Sequence, residues 1–137
     1  MNPVYSGMTR VIADISVSVD GYVTGPGAGP DNGLGDGGEA LHTWAFSDDP
    51  DDRQILSEGT VAAARERAGD LDVVLMGGGA TIGSAIAAGL VDVLSLHLAP
   101  VVLGAGTPLF TGGPMRTLVR RSVTATSTAT HVIYDVV

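Results

Sequence analysis

The chain lacks cysteine altogether, which removes disulfide scaffolds, thiolate metal sites and thiol catalysis. It also lacks lysine: all seven cations are arginine, so neither a Schiff base nor a Walker-type phosphate contact can form. Clustered cations are absent as well, and a nucleic-acid surface needs them. No apolar run approaches the ~20 residues that cross a bilayer. Residues 1–10 have neither the basic flank nor the apolar core of a secretory signal, so the expectation is a cytoplasmic protein with no membrane partner. Met8 is an alternative start, because nothing periodic precedes it. Aromatic residues amount to only 4%, and the one Trp falls with one of two Phe in Ala40 to Ser47.

What remains fits a single domain, residues 1–137, with one core; at 45% hydrophobic residues a chain of this length can build one and not two. Seven Lys+Arg against fifteen Asp+Glu gives 7 − 15 = −8. The excess is confined to residues 1–60, whereas the rest of the chain balances, so an anionic ligand is expected against the second half.

Arg10 to Val19 is β-branched and alternating, which predicts a strand, ended by Asp20 and Gly21. Residues 21–38 are crowded with glycine around Pro26 and Pro30, which predicts a long mobile loop without a packed element, either a linker or an active-site lid. Asp48 to Asp52 then offers an N-cap, a first-turn proline and carboxylates for the helix dipole. A helix is expected to follow, through Ile55, Leu56 and Val61 to Ala64, with Gly59 as a weak point. The carboxylates read as a solvated cap.

Asp72 to Met76 is a short apolar run typical of a strand buried on both faces. Gly77, Gly78 and Gly79 follow, then a helix over Ala80 to Leu90. A strand, glycines and a helix N-terminus can receive a phosphate, because the backbone N–H groups there are unpaired and partly positive. The same glycines can instead serve close packing, and the spacing fits neither a dinucleotide fingerprint nor a P-loop. Val91 to Pro100 alternates as a further strand. A glycine-rich bend over 101–110 follows it, and Val119 to Ala125 with Thr130 to Val136 read as an antiparallel hairpin. His42, His97 and His131 read as isolated, packed or surface imidazoles; none has metal-ligand spacing, and no metal site is assigned.

Together VIADISVSVDGYVTG, DPDDRQILSEGTV, the long run from Asp72 to Phe110 and the last hairpin resemble the dihydrofolate-reductase-like reductases, which include the C-terminal reductase domain of the riboflavin-pathway deaminase/reductase (RibD). The resemblance covers nearly the whole chain. It implies an α/β fold with a mixed, mostly parallel sheet and a C-terminal antiparallel hairpin. It also implies NADPH across the carboxyl ends of the central strands, and hydride transfer to a pterin- or pyrimidine-like heterocycle. Gly77, Gly78, Gly79, Ala80, Thr81 and Ile82 match the segment receiving the cofactor diphosphate, and Ala13, Asp20 and Val23 match the strand and loop beside the nicotinamide, Asp20 being the candidate catalytic residue. The family's block between its first helix and the GGG strand, which holds the adenosine 2′-phosphate, is absent. The sheet is therefore expected to shrink to five strands with Asp72 to Met76 at its edge, pairing with a second copy as a homodimer. A non-catalytic binding or oligomerising remnant is the alternative to a working reductase.

Overall fold

The computed structural model describes residues 10–67, 73–76 and 79–137. Met8, Asp72, Gly77 and Gly78 lie outside the described residues. The elements run β1 (Val11–Ser18), β2 (Tyr22–Thr24), a 3-10 helix (Gly38–Phe46), α1 (Pro50–Arg67), β3 (Val73–Met76), α2 (Gly79–Ala87), β4 (Val93–Ala99), β5 (Thr107–Pro108), β6 (Leu118–Ala125) and β7 (Thr130–Val136). Five strands form one sheet in the order β3-β1-β4-β7-β6, and β2 and β5 form a separate pair. β3, β1 and β4 are mutually parallel, whereas β7 runs antiparallel to β4 and β6 antiparallel to β7. The expected five-stranded mixed sheet is present, with β3 at its edge.

The two faces of the sheet follow from the period of two along each strand. Ala13, Ile15 and Val17 of β1 and Leu94 of β4 point to one side, where Ile82 and Ile86 of α2 meet them together with Val23, Val91 and Leu109. Leu94 and Ile82 are each 1% exposed, so this side is a dry aliphatic core. The intervening residues Asp14, Ser16 and Ser18 point to the other side, covered by the 3-10 helix and the start of α1.

The reading of residues 21–38 as a stretch with no packed element is corrected. Tyr22–Thr24 is a strand, and Val23 is buried in the core. Beyond it the chain doubles back through hydrogen bonds from Gly25 N–H to the Leu34 carbonyl and from Asp36 N–H to the Pro26 carbonyl, both 2.8 Å. Glycine permits this because a Cβ at Gly25 would lie 1.8 Å from the Asp36 carbonyl oxygen. Sequence composition registered the glycines as looseness, but here they let two backbone segments touch.

Pro50 opens α1, and one oxygen of Asp49 accepts from the N–H groups of Asp51 and Asp52 at 2.8 and 3.4 Å. The cap is as expected. The helix passes through Gly59 without interruption. The bend after β4 carries β5, joined to β2 by Thr24 and Thr107 hydroxyls 2.8 Å apart.

Candidate functional site

Two constellations stand out, one at the carboxyl ends of the parallel strands and one on the polar face of the sheet. At the carboxyl ends, Asp20 follows β1 directly. Its Oδ1 accepts from the Ser18 hydroxyl at 2.6 Å and from Leu103 N–H at 3.1 Å, and its Oδ2 from Gly104 N–H at 2.8 Å. The Ser18 hydroxyl, foremost, and the backbone donors hold the carboxyl below its usual range against the opposing effect of burial. Asp20 thus ties the end of β1 to the bend after β4. Of the residues matched to a cofactor site, Ala13, Val23 and Ile82 meet in the aliphatic core, with side chains 0%, 6% and 1% exposed. Thr81 is exposed in the first turn of α2, which holds no acidic residue. Gly79 and Ala80 open that helix.

The polar face carries what the sequence did not disclose. His97 of β4 and His131 of β7 are cross-strand partners, so the histidines read as isolated are adjacent. Their Nδ1 atoms lie 2.8 Å apart. On the far side of each ring, His97 Nε2 is 2.5 Å from Asp14 Oδ1 and His131 Nε2 is 2.6 Å from Asp52 Oδ1. Four side chains from β1, β4, β7 and α1 therefore form one line, Asp14–His97–His131–Asp52. Trp44 roofs it, its ring stacked on His97 with centroids 4.1 Å apart and its Nε1–H donated to the Ser16 hydroxyl at 2.9 Å.

Asp52 corrects a second expectation. It belongs to the acidic run read as a solvated cap, yet it is 0% exposed. Its carboxylate accepts from the hydroxyls of Ser47 (2.6 Å), Thr126 (2.9 Å) and Thr128 as well as from His131. Burial, the largest single influence, would raise its pKa, but these donors together outweigh it and hold the group at about 2.

The chemistry of the line follows from counting protons. Each of its three contacts joins two atoms with lone pairs, so each needs one proton, or two lone pairs would face each other in a buried site. Three protons shared among two carboxylates and two imidazoles leave one net negative charge. Asp52, surrounded by donors, stays ionised. At the other end Asp14 Oδ2 receives no hydrogen bond from the described residues and faces a cavity of about 380 Å³ between α1 and the sheet. Among the described residues, no three groups converge to hold a metal ion.

The sequence profile of the RibD C-terminal domain matches residues 39–133, more than half of the chain. The chain belongs to the RibD C-terminal domain family. At 137 residues it is a shortened member of this reductase family. Its fold is shared with RibD of Acinetobacter baumannii at 13% identity and a TM-score of 0.60, over 96% of this chain and 59% of that one. It is likewise shared with a pyrimidine reductase-like protein of Corynebacterium diphtheriae (12%, TM-score 0.59, 100% and 95% covered) and with the riboflavin biosynthesis reductase Rib7 of Saccharomyces cerevisiae (13%, TM-score 0.51, 95% and 89% covered). Comparison with curated protein sequences gave no match. Among the described residues no helix is long and apolar enough to cross a membrane.

Within this RibD-type fold, a sequence signal for the polar line does exist. Asp14, Ser16 and Ser18 alternate along β1, a strand flanked on both sides in the sheet, where a polar face is costly unless every group finds a partner. That signal locates the face. It does not name the partners, which for Ser16 and Asp14 come from Trp44 and His97, 28 and 83 positions away in sequence.

Proposed function

We propose that this chain is a nicotinamide-dependent reductase of the RibD type, with NADPH as cofactor and a pterin- or pyrimidine-like heterocycle as substrate. The observation that carries the reading is the acid-free N-terminus of α2 at the carboxyl end of the parallel β3-β1-β4 unit, in a member of a reductase family. Backbone N–H groups from Gly79, Ala80, Thr81 and Ile82, with the Thr81 hydroxyl, suit a diphosphate there; Gly77 and Gly78 extend the same segment. Ala13 and Val23 are buried and would shape the nicotinamide wall through their backbone. A bound reduced nicotinamide supplies hydride. Asp20, with both oxygens engaged, acts as a positioning residue that fixes the rim at Leu103 and Gly104 rather than as a proton donor.

Three arginines of the second half, Arg116, Arg120 and Arg121, bear on cofactor choice. Arg116 donates to the Ala87 carbonyl at the far end of α2 (2.7 Å), Arg121 is paired with Asp135, and Arg120 lies on β6, at the edge of the sheet opposite β3. With none of them tied to the start of α2, discrimination of the 2′-phosphate, which needs a charge-assisted contact, is weak. Calorimetric titration tests this: NADPH and NADH should bind within about tenfold of each other. Failure of both to bind at about 1 mM would overturn the reading and favour a non-catalytic binding or oligomerising remnant of the family.

We further propose that the edge over Asp72 to Met76 pairs with a second copy. Val73, Val74 and Leu75 are only half-buried, and no described strand lies beyond β3. An apolar open edge invites association, and a two-fold axis would satisfy two such edges together. Light scattering should give a dimer, and Val74→Lys should return it to monomer; a monomeric parent protein at micromolar concentration contradicts the pairing.

A further inference from the structure

A cavity of about 360 Å³ lies on the α2 side of the sheet, between that helix and the segment over 110–116, apart from the polar line. Two glycines bring this segment onto α2 one helical turn apart. A Cβ at Gly83 would lie 2.0 Å from the Leu109 carbonyl oxygen, and one at Gly113 would lie 3.0 Å from the Ala87 Cβ. The chain is held down at both points, and Phe110 and Gly112 between them line the gap. Ile86 and Leu94 are its buried floor, while Phe110 and Leu118 are 53% and 37% exposed at its mouth. The volume falls within the range of small-molecule sites, roughly 300–1,000 Å³. Walls of this kind favour an apolar body.

One charge stands at the cavity, and the end of α2 puts it there. Gly89, with φ at 74°, turns the chain out of the helix, so that its N–H reaches the Ile86 carbonyl at 3.0 Å and the Leu90 N–H reaches the Ala85 carbonyl at 2.9 Å. The Ala87 carbonyl accepts instead from Arg116 Nη2 at 2.7 Å. That bond occupies a single donor of a guanidinium that carries several more. Among the described residues Arg116 makes no ion pair, in a chain with fifteen acids and seven arginines.

Capping the helix needs only that donor, yet the guanidinium also belongs to the wall of a cavity whose lining holds no carboxylate. The lining comes wholly from residues 83–118, outside the acidic part of the chain. The carbonyl end of a helix disfavours an anion, but the full charge of Arg116 exceeds the partial charge of the helix end. An anion with an apolar body therefore matches both the walls and the charge.

We propose that this cavity binds a small organic acid, a carboxylate on a single aromatic ring or a short alkyl chain, with its body over Ile86, Leu94 and Phe110 and its carboxylate on Arg116. The site lies along the C-terminal half of α2, away from Gly79, and does not rest on the cofactor reading.

Phenylacetate is a suitable probe, with neutral phenylacetamide as its isostere, each titrated into the intact protein while backbone amide resonances are followed. Phenylacetate should shift the amides of Ala87, Gly112 and Gly113 saturably, with a Kd of about 1 mM or below. Phenylacetamide should act on the same amides about fivefold more weakly, the worth of one exposed ion pair. Arg116→Gln should bring phenylacetate down to the affinity of the amide, whereas Arg116→Lys should keep the preference for the acid. Phe110→Ala should weaken both probes alike by severalfold, and a general loss of structure cannot produce both patterns. No saturable shift, equal binding of acid and amide by the parent protein, or an Arg116→Gln protein that keeps the preference would each overturn the proposal. So would shifts centred on Gly79 to Ile82, which would put the anion at the cofactor segment. Shifts at Gly113 that follow protein concentration alone would make the cavity a contact between copies and overturn it as well.

Discussion

The two faces of the sheet are built on different physics from the same strands. On the α2 side, Ala13, Ile15, Val17 and Leu94 need only to be apolar and of suitable volume, and any neighbour of the same kind will serve. On the α1 side, Asp14, Ser16, His97 and His131 need particular atoms opposite them, and the partners Trp44 and Asp52 come from segments separated in sequence from the strands they serve. The first face is forgiving because burial is non-directional; the second is all-or-none because a buried donor or acceptor without a partner costs more than the bond itself contributes.

That contrast can be broken most forcefully at Asp52. Asp52→Ala removes the one carboxylate that His131, Ser47, Thr126 and Thr128 share, and should cost about 3–5 kcal/mol in denaturant unfolding, as breaking a buried charged pair does. A loss below about 1 kcal/mol would place Asp52 with ordinary surface ion pairs. On the opposite face Leu94→Ala should cost about 3 kcal/mol through lost contacts and a cavity.

Acid separates the two faces further. Asp52 is held at about 2 from its ordinary 3.8, so its contribution to stability is complete above the ordinary value and is lost as pH falls through about 2. Unfolding free energy measured from pH 5 downwards should therefore drop for the parent protein and for Leu94→Ala by the same increment. In Asp52→Ala the drop should shrink to the small part that exposed Asp20 carries; an undiminished drop would mean that other carboxylates carry the acid response. The smallest effect is expected at Trp44→Phe. It keeps a ring over His97 but leaves the Ser16 hydroxyl without its donor, for a loss of about 1–2 kcal/mol.

The same difference explains what could be read from the sequence. β4 announces itself by alternation, β6 and β7 by β-rich runs around small polar residues, α1 by its cap and α2 by its Ala/Ile spacing, because these signals are local. The edge position of β3 follows from the missing block between α1 and β3. The site on the polar face was not legible, because Asp52 looks like one more carboxylate in an acidic cap until Thr126 and Thr128 of the β6–β7 turn arrive beside it. His97 and His131 are 34 residues apart and become a pair only through the β4–β7 register. The excursion over 21–38 was misread for a related reason: glycine permits both disorder and backbone contact closer than any side chain allows, and composition alone does not distinguish them.

The line of four side chains is the centre of this account, and long-range ¹H–¹⁵N correlation spectra of the histidine rings test it most directly. Three contacts holding three protons, with Asp52 ionised, place one proton on His131 Nε2 and a single proton between the two Nδ1 atoms, and Asp52→Asn should disturb the spectrum of both rings. Two independent imidazoles, with His131 Nε2 unprotonated and no response of His97 to a change at Asp52, would contradict it.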